Sequence, residues 1–162
     1  MTLEEAVALT ADTELASWAP AMRRSIEALS AVRSAELQPI HGDLHVGQVL
    51  AWSAGLAVID FDGNPTLGDA ANPIRQPRER DLAQLVTSLD HVGRVVEEHG
   101  HGDRSTWIQD ARAAFLAGVG PFDEVLLGAF EIEQECRELV YAARFLPRWR
   151  YAPMATLRAR FS

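Results

Sequence analysis

The sequence predicts a mainly helical α+β domain with one small β-hairpin near its centre. Three observations carry that expectation. Of 162 residues, 48% are hydrophobic and 23% charged, enough apolar side chain for one packed core and too much for a disordered chain. Apolar residues recur at helical spacing before residue 36 and again after residue 80, the period that buries one face of a helix. Between these stretches the pattern breaks into short apolar runs separated by Gly, Ser and Pro, as strands and turns require.

Thr2 followed by Glu5 fits a capping box that opens a helix from Leu3 to about Leu9. A second helix is expected from Glu14 to about Ala35. Its face is Leu15, Trp18, Met22, Ile26, Leu29 and Val32, with Pro20 ending or kinking the first turn and Gln38-Pro39 as the stop. Ile40, Val49 to Trp52 and Leu56 to Ile59 read as strands, and Ser53-Ala54-Gly55 as a hairpin loop. Pro65 to Arg80 reads as a loop broken by Pro65, Pro73 and Pro77. A helix with Leu82, Leu85, Val86 and Leu89 apolar follows from Asp81 to about Val96, then a polar Gly/His turn from Glu97 to Asp103. Ser105 or Thr106 caps a helix to about Leu116. The longest helix runs from Asp123 to about Phe145, before Pro147. Tyr151, Arg158, Arg160 and Phe161 are expected in an amphipathic docking tail. The organisation is thus a helical segment over 1–36, then a unit over 37–162. That unit comprises a polar loop at 39–50, a hairpin at 49–65 and a helical remainder at 80–162.

Composition narrows function. The formal net charge is −8, which argues against a nucleic-acid partner, since phosphates demand a basic face. All 15 basic residues are arginine, so any chemistry that needs a lysine of this chain is excluded. No apolar run approaches the ~20 residues of a membrane span. The opening MTLEEAVALT carries acids where a signal peptide carries bases, and the one cysteine, Cys136, has no partner for a disulfide. A reducing cytoplasm is the expected compartment.

Polar residues crowd into HGDLHVGQVL (His41 to Leu50) and VIDFDGNP (Val58 to Pro65). An apolar strand that ends abruptly in Asp60 is informative, because buried carboxylates are costly unless paired or bound to a metal. A hairpin from Val49 to Ile59 brings Gln48 and Asp60 to one end. Asp43, Gln48 and Asp60 then face a common space. One carboxylate can handle a proton, while an amide and a second carboxylate offer oxygen to a hard cation such as Mg²⁺. Phosphoryl transfer needs that combination. Each aspartate alone reads more readily as a turn or strand-end cap; the three together shift the weight to function.

These two segments resemble the catalytic region of the aminoglycoside phosphotransferase-like kinases. Within that group they are most similar to bacterial maltokinases and actinobacterial glucosamine kinases. RERDLAQLVTSLDHVG (Arg78 to Gly93) and RELVYAARFLPRW (Arg137 to Trp149) extend the resemblance, which covers about Pro39 to Pro153. It implies the C-terminal lobe of a protein-kinase-like fold. It also implies ATP-dependent phosphorylation of a sugar hydroxyl, with Asp43 as catalytic base, Gln48 and Asp60 as Mg²⁺ ligands, and His41 and His45 in the structural catalytic loop. Asp62-Gly63-Asn64-Pro65 matches the glucosamine-kinase branch, where maltokinases carry Glu-Gly-Glu-Pro, so the expected acceptor is glucosamine or a related amino sugar, with maltose as the alternative. Kinases of this group carry an N-terminal lobe with a strand lysine. The expectation here is a C-terminal lobe alone, its N-terminal lobe missing or supplied by a partner chain, or else a non-catalytic lobe that binds sugar or a partner.

The longest helix adds Glu131, Glu135 and Glu138 at i, i+4 and i+7 on one face. Glu138, and more weakly Glu135, are candidates to bind a substrate ammonium; the bland alternative is a solvated face with arginine partners, as for Glu133 and Arg137. Trp149 is a candidate to stack on a sugar ring or to pack behind Pro147. Maltokinases place a further glutamate where this chain has Ala142. A zinc site on His41, Asp43 and His45 is the minor metal alternative, His99 and His101 fall in a surface turn, and Cys136 reads as a buried, inert thiol.

Overall fold

The computed structural model describes residues 3–31, 35–61 and 75–162. Two N-terminal helices, α1 (Leu3–Thr10) and α2 (Thr13–Ala31), precede four short strands: β1 (Leu37–Pro39), β2 (Val49–Trp52), β3 (Gly55–Val58) and β4 (Arg75–Pro77). Helices α3 (Glu79–Glu98), α4 (Ser105–Gly118), α5 (Glu124–Phe145) and α6 (Tyr151–Phe161) complete the chain, with 3₁₀ turns at Val46–Gln48 and Pro147–Arg150. The described residues are therefore mainly helical with two small antiparallel sheets, β1–β4 and β2–β3. No described helix is long and apolar enough to cross a membrane.

Helix α5 is the central post. Its Ile132, Cys136 and Leu139 are buried against Leu3 of α1, Leu15 and Met22 of α2, and Leu157 of α6. On its other side Leu126, Leu127 and Phe130 pack with Leu82 and Ala83 of α3. Asp12 caps α2, its Oδ1 accepting the Glu14 and Leu15 amides at 2.8 and 3.0 Å. Asp123 caps α5 through the amides of Val125 and Leu126. Helix α2 runs unbroken through Pro20, because burial of Trp18 and Met22 on either side offsets the lost backbone bond.

Several boundaries differ from expectation. The strand expected at Ile40 lies at Leu37–Pro39, and part of the expected proline loop, Arg75–Pro77, pairs with it. Pro39 and Pro77 occupy strand ends, where a missing amide is tolerated. The hairpin turn is two residues, Ser53-Ala54; Gly55 belongs to β3, opposite Trp52, and its φ of 133° is one that side-chain-bearing residues rarely adopt. Helix α3 begins at Glu79 and continues to Glu98, absorbing the start of the polar turn. Helix α4 is entered from Asp103, whose Oδ1 accepts both the amide and the hydroxyl of Ser105. The C-terminal residues are not a docking tail: α6 buries Ala152, Pro153, Met154 and Leu157 in the core. The Thr2 end of the capping box, residues 32–34 of the second helix, and the 62–74 segment with Asp62-Gly63-Asn64-Pro65 lie outside the described residues.

Candidate functional site

The loop between β1 and β2 carries His41 to Gln48 and is stapled to α3 by side chains. The Asp81 carboxylate accepts the amides of His41 (2.7 Å) and Gly42 (2.9 Å). Gln84 works in both directions, accepting the Leu44 amide at 3.1 Å and donating to the Gly42 carbonyl at 2.9 Å. The Ser88 hydroxyl accepts the Val46 amide at 3.1 Å. Residues 81, 84 and 88 stand at i, i+3 and i+7, one face of the helix. Gly42 has φ of 82°, a conformation that a Cβ would strain, and this lets consecutive amides converge on one carboxylate.

His41 is buried beneath the loop, its Nδ1 accepting the Asp43 amide at 3.3 Å and its Nε2 donating to the Ile59 carbonyl at 2.7 Å. That pairing selects the tautomer protonated on Nε2 and joins the loop to the end of the hairpin. It also occupies both ring nitrogens, so the zinc alternative loses its first ligand. Phe61 covers the same ring, with centroids 4.8 Å apart.

Asp43 follows directly. Burial pushes its carboxyl above the ordinary aspartate range, opposed by His45 and His41 and reinforced by the negative charges of Glu138 and Asp60. The His45 Nε2 lies 4.0 Å from its Oδ2, while His45 Nδ1 accepts the Gly47 amide. The hairpin brings Gln48 and Asp60 together: the Gln48 amide donates to Asp60 Oδ2 at 3.1 Å. Asp60 has φ of 64°, a left-handed backbone of the kind concentrated at functional sites. Among the described residues no group of three or more His, Cys, Asp or Glu could hold a metal. The Asp60 carboxylate, with the Gln48 amide beside it, suits Mg²⁺, which takes few protein ligands and keeps waters and phosphate oxygens.

A cavity of about 520 Å³ opens beside this loop, with Asp43 and His45 on one wall and Glu138 and Trp149 on another. Both Glu138 oxygens are held by neutral donors, Oε1 by the Gln134 amide at 3.0 Å and Oε2 by the Trp149 indole at 2.9 Å. The carboxylate is oriented without being neutralised. Gln48 and Asp60 do not line the cavity. Neither do Glu135 and Glu131. Glu135 is 2% exposed and bonded to His91 at 3.0 Å, and Glu131 is paired with Arg112 and Arg160. Helical spacing placed the three glutamates on one face, but α3 and α6 pack over that face and leave only Glu138 on this cavity, while Glu131 and Glu135 line a separate one of about 270 Å³ with Arg112 and Arg160. Cys136 is 1% exposed and its thiol is pushed up to about 12, chiefly by burial.

Sequence reasoning missed Asp81, Gln84, Ser88, His91 and Gln134 as parts of this site. The signal was present as a polar stripe through 81, 84, 88 and 91 on a helix otherwise read for its apolar face.

No family model matches the chain. It is 38% identical, over 172 aligned positions, to a glucosamine kinase of Streptacidiphilus jiangxiensis, covering 96% of the chain and 39% of that relative. To the glucosamine kinase of Mycolicibacterium smegmatis it is 38% identical over 132 positions, 74% of the chain and 33% of the relative. Among solved structures it superposes on a glucosamine kinase with a TM-score of 0.91 at 37% identity, covering 99% of this chain and 43% of that one. On a glucosamine kinase in complex with glucosamine, ADP and inorganic phosphate the TM-score is 0.88 at 36% identity, covering 99% and 42%. The chain thus spans about two fifths of the length of the first relatives it matches.

Proposed function

We propose that this chain is the catalytic, acceptor-binding lobe of an ATP-dependent sugar kinase of the protein-kinase-like fold, acting on a hydroxyl of glucosamine or a related amino sugar. The observation that carries the reading is the shared cavity. A carboxyl with raised proton affinity, Asp43, and an oriented, un-neutralised carboxylate, Glu138, face the same space. The fold and sequence likeness to glucosamine kinases supports the amino sugar over maltose.

In this reading Glu138 binds the substrate ammonium, and Trp149 offers an aromatic face to the sugar ring. Asp43 accepts the acceptor hydroxyl's proton as the oxygen attacks the terminal phosphorus of ATP, whose bond to the bridging oxygen breaks to release ADP. A carboxyl raised by burial is better matched to that transfer than an ordinary aspartate. Asp81, Gln84 and Ser88 fix the loop so that Asp43 meets the hydroxyl without reorganisation. Gln48 and Asp60 would hold Mg²⁺, which supplies charge neutralisation on the donor phosphates when bound. The remaining length of such a kinase, or a partner chain, would cover the nucleotide. The hairpin offers it an apolar surface, with Trp52 65%, Leu56 75% and Phe61 68% exposed. The single buried thiol suits a cytoplasmic protein.

A coupled ADP-release assay with glucosamine, maltose and no sugar tests this reading. Glucosamine-dependent turnover that disappears in Asp43→Asn is the expected result. The variant loses a partly buried carboxylate, so its stability should match or exceed wild type by about 1 kcal/mol in urea unfolding. Sugar binding by calorimetry without turnover would instead identify a binding lobe that needs more chain for catalysis, a reading favoured by the absence of lysine from all 162 residues. Turnover that survives in Asp43→Asn would refute the assignment of the base.

A further inference from the structure

At the cavity wall lies a pair of titratable side chains that the proposed chemistry does not use: His91, which is part of the lining, and Glu135 behind it. His91 of α3 and Glu135 of α5 are 5% and 2% exposed, with His91 Nε2 and Glu135 Oε2 3.0 Å apart. The other Glu135 oxygen, also buried, has no hydrogen-bond partner. Two such groups in a helical core are expensive unless they do something that an apolar pair could not.

Their placement shows what that is. The His91 ring stands perpendicular to the Trp149 indole, at 87° with centroids 5.4 Å apart. The same indole donates to Glu138 at 2.9 Å, and Glu138 lies one turn beyond Glu135 on α5. The contacts therefore close a circuit, from Glu135 through His91 and Trp149 to Glu138 and back along one helix. The Pro147–Arg150 turn that carries Trp149 is a single 3₁₀ turn with no buried residue of its own, so the indole takes its orientation from these partners and from the Tyr151 ring, whose centroid is 6.0 Å away.

We propose that His91 and Glu135 are positioning residues which, through the Trp149 indole, hold the Glu138 carboxylate in its ligand-binding orientation. The inference rests on reading the cavity as the acceptor site. The Glu135 hydrogen bond fixes the imidazole plane, and perpendicular aromatic packing transfers that orientation to the indole. Burial raises the Glu135 carboxyl to about 7, opposed by His91; burial lowers the His91 imidazole, but Glu135, Glu138 and Asp90 together outweigh burial and raise the ring on balance. The Glu135 carboxyl accordingly changes protonation near pH 7, and the indole geometry should follow it. The other charged groups facing the pair are Asp90 on α3, tied to Arg94 and to Thr156 of α6, and Glu138 on α5. Glu131, with Arg112 of α4 and Arg160 of α6, lies one turn before Glu135.

The test is ¹⁵N-indole NMR of the full chain, with the Trp149 signal assigned by Trp149→Phe, followed over about pH 5 to 9. In wild type the Trp149 N–H should shift with an inflection near pH 7; in Glu135→Gln, which still offers an acceptor to the imidazole, that inflection should be lost. His91→Phe keeps a ring but loses the fixed plane. It should weaken glucosamine binding about tenfold in calorimetry, with Glu135→Gln staying within about threefold of wild type. A Trp149 signal that is pH-independent in wild type overturns the proposal, as does one unmoved in His91→Phe. The wild-type titration decides even if a variant fails to fold. Wild type that binds no glucosamine refutes the acceptor reading instead, and the indole titration still judges the pair.

Discussion

Glu135 shows how one side chain can make stability depend on pH. Its carboxyl is raised from 4.5 to about 7 by burial, with His91 opposing, and His91, lowered by burial, is raised on balance above 6.5 by Glu135, Glu138 and Asp90 together. Both groups bind protons more tightly folded than unfolded. The stability they contribute is therefore full below their unfolded values and is lost as pH rises through the folded ones. Unfolding free energy should fall between about pH 4.5 and 7 by on the order of 3 kcal/mol, less whatever other groups offset. Glu135→Gln should flatten that slope in urea titrations at several pH values; an equally steep slope in the variant would count against the assignment. The thiol next door has the opposite character: Cys136, buried and raised to about 12, is inert packing, as sequence reasoning expected.

At the scale of elements, the loop is ordered by a helix rather than by its own sequence. His41 to Gln48 contains no strand, yet four of its amides bond side chains of α3. Asp81 alone serves two of them, and bonds to a charged acceptor are worth ~1.5–3 kcal/mol each when lost. Asp81→Ala should therefore destabilise the fold by roughly 3 kcal/mol or more. It should also lower kcat more than it weakens sugar binding, since Glu138 and Trp149 lie on other elements. Denaturant curves and a kcat-against-KM comparison would check both parts; intact kcat would contradict the clamp. The element also explains why Asp43, Gln48 and Asp60 were legible while Asp81, Gln84 and Ser88 were not. The first three stand out as polar residues in glycine-rich or apolar strand segments. The last three sit in a helix whose apolar face had already accounted for its pattern.

Across the whole molecule, burial is uneven. The helices around α5 share a dense core, whereas the β2–β3 hairpin exposes apolar residues on both faces, Leu50 and Trp52 on one and Leu56 and Val58 on the other. A two-stranded hairpin is marginal without cover, and contiguous apolar surface of this kind marks an interaction site. Leu56→Glu, at a position 75% exposed, should leave the thermal midpoint within a degree or two but shift light-scattering profiles of the isolated chain toward monomer. If the hairpin were instead part of this chain's own core, the same change would unfold it.

What the sequence by itself determined was the helical period, the position of the hairpin and the carboxylates that interrupt its apolar runs. Those follow from local spacing and from the cost of burying charge, both readable along one dimension. Only the tertiary structure decided which of three same-face glutamates meets the cavity, that Arg75–Pro77 pairs with Leu37–Pro39, and that the last helix belongs to the core. Each depends on what packs against a residue from more than thirty positions away or from another helix. Local periodicity shows that a face is polar or apolar; it does not say which neighbour will cover it.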